Sequence, residues 1–455
     1  MSPLAFIVET LKRRLIAAAL GLLTPSLANA ESAPPAPATD TPPPPEPSIE
    51  HRLAAIEKQQ REEPKLTKED ATRLSWLRRF KLTGFVQPQL LVQMFNAAAS
   101  PNATANGLPK GIEANDALAK ADGTTTNGTF FRLRRARLKT EFMPTDFARL
   151  VVELDPAPVG GPSAGVGTMA RQVEAIGIVH WTPGFVTDFG LGIFKLPFGF
   201  EIPESDADRI FVERSWGQQN MMPGEFDLGA RATSSLFQEK LKGSVAIVNG
   251  VTQGEKTFAL LPDLNRAKDV VGRVTYNFGA LTPGLSGYYG KGQVVDATNL
   301  RTKQFPRWSM NAELAVGLRT LKFEGSSAPA TRITGEITRG QNMDRGTKYA
   351  FALPSIPNDL SQDVADKDEL STYVRLEQDL TQRITLAARY DYYSPDTSQA
   401  DNARHTFAFA FAARFTKGLQ MVLEFNHAID HVHKAGAAIP SKEIETVSSV
   451  LQARF

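Results

Sequence analysis

The charged residues best placed to act on a small solute fall in two stretches of the chain. The first, residues 197–225, begins where an alternating segment breaks at Pro197, and it mixes aromatic with acidic side chains. The charged members in which we expect a role are Glu201, Glu204, Asp206, Asp208, Arg209, Glu213 and Arg214. Between Gly199 and Asp227 there are seven acidic residues and two arginines. The stretch therefore carries net negative charge, which orients ions and dipoles by electrostatics.

The second stretch is basic and reads FRLRRARLK over residues 131–139. Side chains alternate between the two faces of a strand. If Ala136 and Leu138 lie on an apolar face, the basic residues of the other face are Arg135, Arg137 and Lys139. Two interpretations stay open. These residues either solvate an aqueous wall or form a basic wall that faces the acidic stretch.

Other arrangements that would indicate chemistry are weak or missing in the sequence. We find no nucleophile with a base, no phosphate-binding loop and no convincing carboxylate pair, so we expect no enzyme and no cofactor. His427, His431 and His433 lie near Asp430, but no ligand spacing fixes a metal, and a surface role is the simpler interpretation. The chain has no cysteine, and its net charge of +2 gives no case for nucleic acid.

From residue 81 onwards the pattern is that of half-buried strands. Val86, Leu90 and Val92 alternate with glutamines, and Trp308 and Met310 begin another alternating run. Strands of about ten residues with aromatic residues near their ends are typical of a transmembrane β-barrel. The mean hydropathy of −0.23 excludes a helical membrane protein but is compatible with such a barrel.

The connections between these strands alternate in length. Short turns are expected near residues 143–145, 182–184, 282–284, 381–382 and 416–418. Long loops are expected near residues 97–127, 155–169, 197–225, 251–266, 342–368 and 430–441. This asymmetry predicts an all-β, antiparallel outer-membrane barrel of about sixteen strands over residues 81–455.

In such a barrel, the loop at about 197–225 can fold into the lumen and narrow it. The same alternation places Arg132 and Arg134 near the outer interface, where a cation can meet lipid phosphate. A charged side chain that faces lipid at the middle of the bilayer costs about 2–4 kcal/mol. Arg135, Arg137 and Lys139 are therefore expected in the lumen.

The N-terminal part of the chain has the features of an exported protein. Residues 1–30 have a basic, an apolar and a small-x-small region, as in a signal peptide cleaved near Ala30. Residues 31–47 form a Pro-rich linker, 48–64 a short helical or coiled-coil segment and 65–80 a periplasmic connector. The helical segment is either a frayed surface helix or a small bundle that reinforces an oligomer. At the other end, Phe455 closes an alternating strand and is expected to act as the insertion signal.

Several motifs resemble the phosphate-selective porin O and P family. They are residues 131–138 (FRLRRARL), 192–201 (GIFKLPFGFE), Ser205, 211–215 (FVERS), 227–229 (DLG) and 249–250 (NG), in the order of that family. The resemblance runs from about residue 82 to 455. It implies a sixteen-stranded, trimeric barrel whose third external loop folds inward, and a preference for phosphate. The acidic stretch departs from the Lys-bearing loop of the phosphate channels, which weakens the expectation of phosphate.

We therefore expect an outer-membrane porin for passive diffusion of small hydrophilic solutes, with a modest preference for anions. The alternatives are a strongly phosphate- or pyrophosphate-selective channel, a barrel enzyme and a surface adhesin. The expected partners are small hydrophilic or anionic solutes, outer-membrane lipid and lipopolysaccharide, the barrel-assembly machinery and two further copies of the chain. Nucleic acid is not expected.

The mature protein is predicted to start near Glu31 and to fractionate with the outer membrane, because a three-part export signal precedes the alternating strands. Membrane fractionation followed by N-terminal sequencing checks both statements. Recovery of the chain as a soluble periplasmic protein would contradict them.

Overall fold

The computed structural model describes residues 78–97, 128–156, 169–222, 224–253, 267–296, 301–318, 331–343, 366–431 and 442–455. The expected signal peptide, Pro-rich linker and helical segment, and the connector up to residue 77, lie outside these residues.

The described residues form strands almost throughout. The sixteen strands are β1 (Phe80–Ala97), β2 (Gly128–Thr145), β3 (Ala148–Asp155), β4 (Met169–Thr182), β5 (Phe185–Lys195), β6 (Phe226–Leu236), β7 (Leu241–Val248), β8 (Asp269–Tyr276), β9 (Leu281–Asp296), β10 (Arg301–Leu318), β11 (Thr331–Gln341), β12 (Asp368–Asp379), β13 (Ile384–Ser394), β14 (Arg404–Thr416), β15 (Leu419–Asp430) and β16 (Lys442–Arg454). One short helix, α1 (Trp216–Met221), lies between β5 and β6. Within this part of the chain, no helix has the length and apolar character needed to cross a membrane.

Each strand pairs antiparallel with its neighbours in sequence, and β1 also pairs with β16, so the sheet is a closed barrel. The prediction of a closed antiparallel barrel of about sixteen strands is confirmed. At the closing seam, Gly84 and Phe455 exchange backbone hydrogen bonds of 3.0 and 3.1 Å. Closure leaves no unpaired sheet edge, which is the condition for a sheet to cross a lipid bilayer.

The alternation expected from the sequence decides which side chains face the interior. On β1, the side chains of Gln87 and Gln89 are buried inside the barrel. The neighbouring Val86 is exposed on the outer face. On β10, Met310 is 68% exposed and the next residue, Asn311, is 3% exposed. Because the outer face is apolar and the inner face polar, the wall presents hydrogen-bonding groups to whatever fills the lumen.

One expected turn lies elsewhere. Residues 282–284 are part of β9, and the chain reverses instead at Asn277–Ala280. Gly279 has a φ of +97°, which glycine adopts without steric cost. Its backbone N–H bonds to Asn277 Oδ1 at 2.7 Å. The Asn-x-Gly sequence therefore makes the turn, and the Thr-Pro-Gly sequence after it does not.

A β-bulge interrupts the pairing of β1 with β2. Gln87 lies opposite Arg135 and Pro88 lies opposite Leu133, so Arg134 is an extra residue on β2. Proline has no backbone N–H to give to the ladder, which makes this position of β1 compatible with a bulge. From this point the inward and outward faces of β2 are shifted by one residue.

Gly84→Val should destabilise the closing seam. A Cβ at Gly84 would overlap the ring of Phe455 and lie 2.5 Å from the carbonyl oxygen of Arg137. Overpacking of this kind costs about 1–3 kcal/mol. The free energy of unfolding in urea, with the heat-dependent gel mobility of the folded barrel, measures the loss. The matched control is Gly177→Val, since Gly177 has open space around it. Equal losses in the two variants would contradict this account of the seam.

Candidate functional site: a loop inside the barrel

The segment between β5 and β6, residues 196–225, is here called the inner loop. Its two ends meet at a narrow neck, where the backbone N–H of Leu196 donates to the carbonyl of Glu225 at 2.9 Å. The Glu225 carboxylate also lies 3.1 Å from Lys195 Nζ and 2.9 Å from Arg214 Nε. Glu225 holds a φ of +60°, an uncommon conformation for a residue with a side chain. The neck therefore combines backbone strain with a buried carboxylate that binds several cations.

From this neck, the inner loop reaches the opposite wall of the barrel. Its backbone N–H groups donate to inward-facing side chains on three distant strands: Gly199 to Ser286 Oγ of β9 (3.0 Å), Glu201 to Glu336 Oε1 of β11 (2.8 Å) and Val212 to Glu424 Oε2 of β15 (2.6 Å). On β16, Gln452 donates to the carbonyl of Ala207 at 3.0 Å. All four wall side chains are buried. The inner loop thus lies within the ring of strands.

A single carboxylate on β11, that of Glu336, accepts hydrogen bonds from the inner loop and from neighbouring residues of the wall. Its donors are Phe200 N (2.9 Å), Glu201 N (2.8 Å), Gln218 Nε2 (3.2 Å), Asn311 Nδ2 (2.8 Å) and Tyr373 OH (2.7 Å). A Cβ at Gly199 would collide with the same carboxylate, and Gly199 has a φ of +60°. Glycine at this position lets the backbone approach Glu336 closely enough for both loop N–H groups to bond.

Apolar packing holds the middle of the inner loop. Ile210 and Phe211 form a cluster with inward-facing small residues of three neighbouring strands: Ala387, Ala408, Ala410, Ala412 and Val422. Alanines on the inner face of β14 alternate with exposed outward residues such as Phe407 and Phe409. Each fully buried large apolar side chain stabilises by roughly 1.5–3 kcal/mol. An alanine wall leaves room for Phe211 where larger residues would exclude it.

The basic stretch on β2 meets the acidic inner loop directly. Glu213 accepts from Arg134 Nη2 at 2.7 Å and from Arg135 Nη2 at 3.1 Å. Asp206 pairs with Arg137, and it lies 3.7 Å from Arg135 Nε. The structure therefore brings Arg135 and Arg137 together with the inner loop rather than leaving them to face it across open water.

The expectation that Arg132 and Arg134 lie near the lipid is wrong. Arg134 binds Glu213, and Arg132 Nε donates to the inward-facing Gln89 at 2.6 Å. The bulge at Arg134 is the reason, because it shifts the alternation and turns Phe131 and Leu133 outward instead. Simple counting by twos across residues 131–139 cannot detect it.

The remaining predicted site residues also have partners. Wall arginines bind three of the acids: Arg375 to Glu204 at 3.1 Å, Arg454 to Asp208 at 2.6 Å and Arg389 to Glu201 at 3.7 Å. Within the inner loop, Arg209 pairs with Asp206, and Arg214 pairs with Glu225. Lys139 is apart from the inner loop and pairs with Glu141 on its own strand at 3.0 Å. The acidic excess of the inner loop is thus balanced by arginines of the wall.

Sequence reasoning missed most of these wall partners. Glu336, Arg375, Arg389 and Arg454 all lie on the inward faces of their strands, which alternation identifies. Alternation does not say which inward residue meets which part of the loop, since their separations in sequence exceed one hundred residues. The signal available in the sequence was a charged residue at an inward-facing position of an alternating strand.

The histidines do not form a metal site among the described residues, where no group of three His, Asp or Glu side chains converges. His427 lies 4.0 Å from Glu445 on the neighbouring strand β16. His433 is outside the described residues.

Two carboxylates of the inner loop, those of Glu213 and Glu225, are held in their ionised form by the cations around them. Burial alone would raise the pKa of Glu213, but Arg134 and Arg135 hold that pKa well below its ordinary value. Burial would also raise the pKa of Glu225, and Lys195 and Arg214 hold it well below its ordinary value. Both anchors stay charged throughout the neutral and mildly acidic range.

A cavity of about 770 Å³ lies beside the inner loop, towards the end of the barrel with the short turns. Residues of two such turns, Gly279 and Thr381, are at its rim, and Phe200 and Ile210 of the inner loop line its inner side. Glu204, Asp208 and Arg209 of the inner loop also line it, and the strands β9 to β12, β14 and β15 add charged, hydroxyl and small apolar side chains. It is a space in the lumen large enough for a small solute.

The comparisons with known proteins agree with the fold. No family model matches the chain and no curated protein sequence matches it, so membership of the phosphate-selective family stays a prediction. Among solved structures, the outer membrane channel DcaP of Acinetobacter baumannii is similar with a TM-score of 0.53 and 11% identity, over 83% of this chain and 97% of that one. An anion-selective porin from Comamonas acidovorans is similar with a TM-score of 0.50 and 10% identity, over 83% of this chain and 99% of that one. At such identities the likeness is one of fold.

Glu225→Gln should lower the free energy of unfolding by about 3–5 kcal/mol at pH 7, because it leaves buried cations without their counter-charge. A carboxylate with a depressed folded pKa stabilises fully above its unfolded pKa of about 4.3. That contribution is lost as the pH falls through the folded value. The difference between wild type and variant should therefore be constant between about pH 5 and pH 7 and shrink below about 4.3. Urea unfolding across this pH range measures it.

The matched control for this prediction is Glu239→Gln. Glu239 also has a positive φ, +66°, and it also pairs with a lysine at 3.1 Å, but the pair is exposed. Its loss should cost about 0–1 kcal/mol. A similar effect in the two variants, or a Glu225 difference that persists unchanged to strongly acidic pH, would contradict the role given to the neck.

Proposed function

We propose that the chain is an outer-membrane porin that lets small hydrophilic solutes diffuse passively, and that the inner loop is its constriction. The observation that carries the proposal is the inner loop itself, which is anchored to the inward faces of β2, β11, β12 and β15 inside a closed barrel. A segment held inside the lumen limits the cross-section through which a solute passes. The polar inner wall supports water-filled passage rather than a packed core.

The pairing of charges supports weak ion selectivity. Arg135, Arg137 and Arg375 each lie against a carboxylate of the inner loop, so their fields are largely cancelled at short range. A phosphate ion would have to displace these carboxylates and leave them without partners, which is costly for buried groups. We therefore propose at most a modest preference for anions, in contrast to the strong phosphate selectivity that the family resemblance implies.

The cellular location and the oligomeric state of the protein are parts of the same proposal. The similarity of fold to an outer membrane channel and to an anion-selective porin supports the outer membrane as the location. We also propose a homotrimer, recognition of the strand that ends at Phe455 by the barrel-assembly machinery, and contact with lipopolysaccharide on the outer face. Phe455 is 64% exposed beside the closing seam, where a partner can reach it.

The Glu204–Arg375 pair offers a test of the constriction, since both of its members belong to one contact between inner loop and wall. Glu204→Gln should move the reversal potential in a KCl gradient towards anion preference, and Arg375→Gln should move it towards cation preference. One uncompensated charge at 4 Å in water is worth about 1 kcal/mol, which corresponds to up to about a fivefold change in permeability ratio. The double variant restores neutrality and should return close to wild type. Shifts of the same sign in both single variants would contradict the assignment.

Phosphate itself provides the second measurement. Block of the chloride current that saturates at low micromolar phosphate would overturn the weak-selectivity proposal and restore the selectivity implied by the family resemblance. Absence of any conductance from folded protein would overturn the porin proposal as a whole.

A further inference from the structure

The cavity beside the inner loop has an apolar side. Phe200 of the inner loop is partly exposed there, whereas Ile210, Ala412 and Val422 are mostly buried in the cluster with Phe211 and contribute only their edges. The Phe200 ring lies under the guanidinium of Arg375, 5.4 Å from ring centre to carbon, which fixes the ring's position. Porin lumens are lined mainly by polar groups, so an apolar surface here would favour solutes that carry an apolar body.

Three of the arginines around the cavity already bind carboxylates. Arg332 lies 3.0 Å from Glu377, Arg375 lies 3.1 Å from Glu204, and Arg209 pairs with Asp206. The acids of the cavity are engaged in the same contacts, because Asp379 pairs with Arg332 and Asp208 with Arg454. Neither set offers an unengaged charge to a solute without breaking an ion pair.

Arg414 differs from these arginines. Within the described part of the chain, no carboxylate lies within ion-pair distance of it, and its side chain donates to Thr385 Oγ1 at 3.0 Å. Thr385 Oγ1 in turn donates to Asp379 Oδ1, which orients the hydroxyl so that its lone pairs face Arg414. The guanidinium is therefore positioned on the cavity wall while much of its hydrogen-bonding fork is still available.

We infer that this cavity is a binding site for small organic carboxylates with an apolar body. The carboxylate binds the Arg414 fork, and the apolar chain lies against the Phe200 ring and the exposed edge of the cluster that contains Ile210, Ala412 and Val422. Planar bidentate recognition is the geometry that arginine and carboxylate share. The inference rests on the proposed function, because a solute reaches the cavity through the lumen, and it adds a class of solute to it.

The two halves of the lining separate this class from other solutes. Inorganic phosphate can bind Arg414 but leaves the apolar side uncovered, and a neutral alcohol covers that side but places no charge against the Arg414 fork. A cationic solute meets carboxylates that are already in ion pairs. Only an amphipathic anion satisfies both halves at once.

Equilibrium dialysis of radiolabelled hexanoate against the purified, folded full-length chain measures the binding without reference to conduction. Binding should saturate and should be displaced by unlabelled hexanoate, weakly by acetate, and poorly by hexanol or phosphate. Each fully buried methylene adds about fourfold in affinity, so hexanoate should exceed acetate clearly. Displacement by phosphate as effective as by hexanoate would overturn the inference and indicate a general anion site.

Arg414→Gln should weaken hexanoate binding about tenfold, as expected for loss of one charge-assisted contact. Arg414→Lys keeps the charge without the fork, so its affinity for hexanoate should lie between those of the wild type and Arg414→Gln. This variant keeps the test usable if the glutamine variant folds poorly. The matched control is Arg149→Gln, which removes another partly exposed arginine, one that pairs with Asp188 at 3.0 Å on a different part of the wall. It should leave hexanoate binding unchanged. Equal losses in Arg414→Gln and Arg149→Gln, or no saturable binding by wild type, would overturn the inference.

A parallel bilayer recording separates this proposal from the porin proposal. Saturable binding together with absent conductance would remove the porin function and keep the site. Normal conductance without saturable hexanoate binding would remove the site and keep the porin function.

Discussion

Charge compensation between the inner loop and the wall is the interaction on which the rest of the lumen depends. The inner loop has six acidic residues, and it cannot lie inside a barrel unless those charges find partners, since an unpaired buried carboxylate is very costly. Arginines of β2, β12, β13 and β16 supply the partners, and Glu336 supplies an acceptor for the loop's own N–H groups. Because the contacts lie on strands all around the barrel, no single strand determines where the inner loop lies.

The strands can supply these partners because their side chains alternate and because one irregularity adjusts that alternation. Without the bulge opposite Pro88, Arg134 would lie on the outer face of the barrel and Glu213 would have one arginine instead of two. The alanines of β14 act in the complementary way, because their small size leaves the space that Phe211 fills. Polar and apolar anchors thus come from the same alternating pattern, read on different strands.

The sequence predicts the parts of this structure that depend on neighbours in the chain. Strand positions and the sixteen-strand count follow from local alternation, and Pro197 correctly indicates where β5 gives way to a loop. The sequence predicts a turn at residues 282–284 instead of Asn277–Ala280, because two turn-forming sequences lie close together. Pairings such as Glu204 with Arg375, or Val212 with Glu424, join residues 171 and 212 positions apart and have no local signal. The fold was therefore predictable, and the internal contacts of the site were not.

The same compensation limits what the lumen can recognise. An arginine that anchors the inner loop has its donors and its charge engaged, so it contributes to the shape of the passage more than to the choice of solute. Recognition of a solute then depends on groups that do not anchor the inner loop. The candidates are residues at the edge of the anchored region. Arg414 is such a residue, since it lies on β14 in line with the alanines that receive Phe211, yet its side chain bonds to a threonine instead of an acid. In the proposed porin, we therefore expect the choice of solute to depend on residues beside the inner loop and not on the ion pairs that hold it in place.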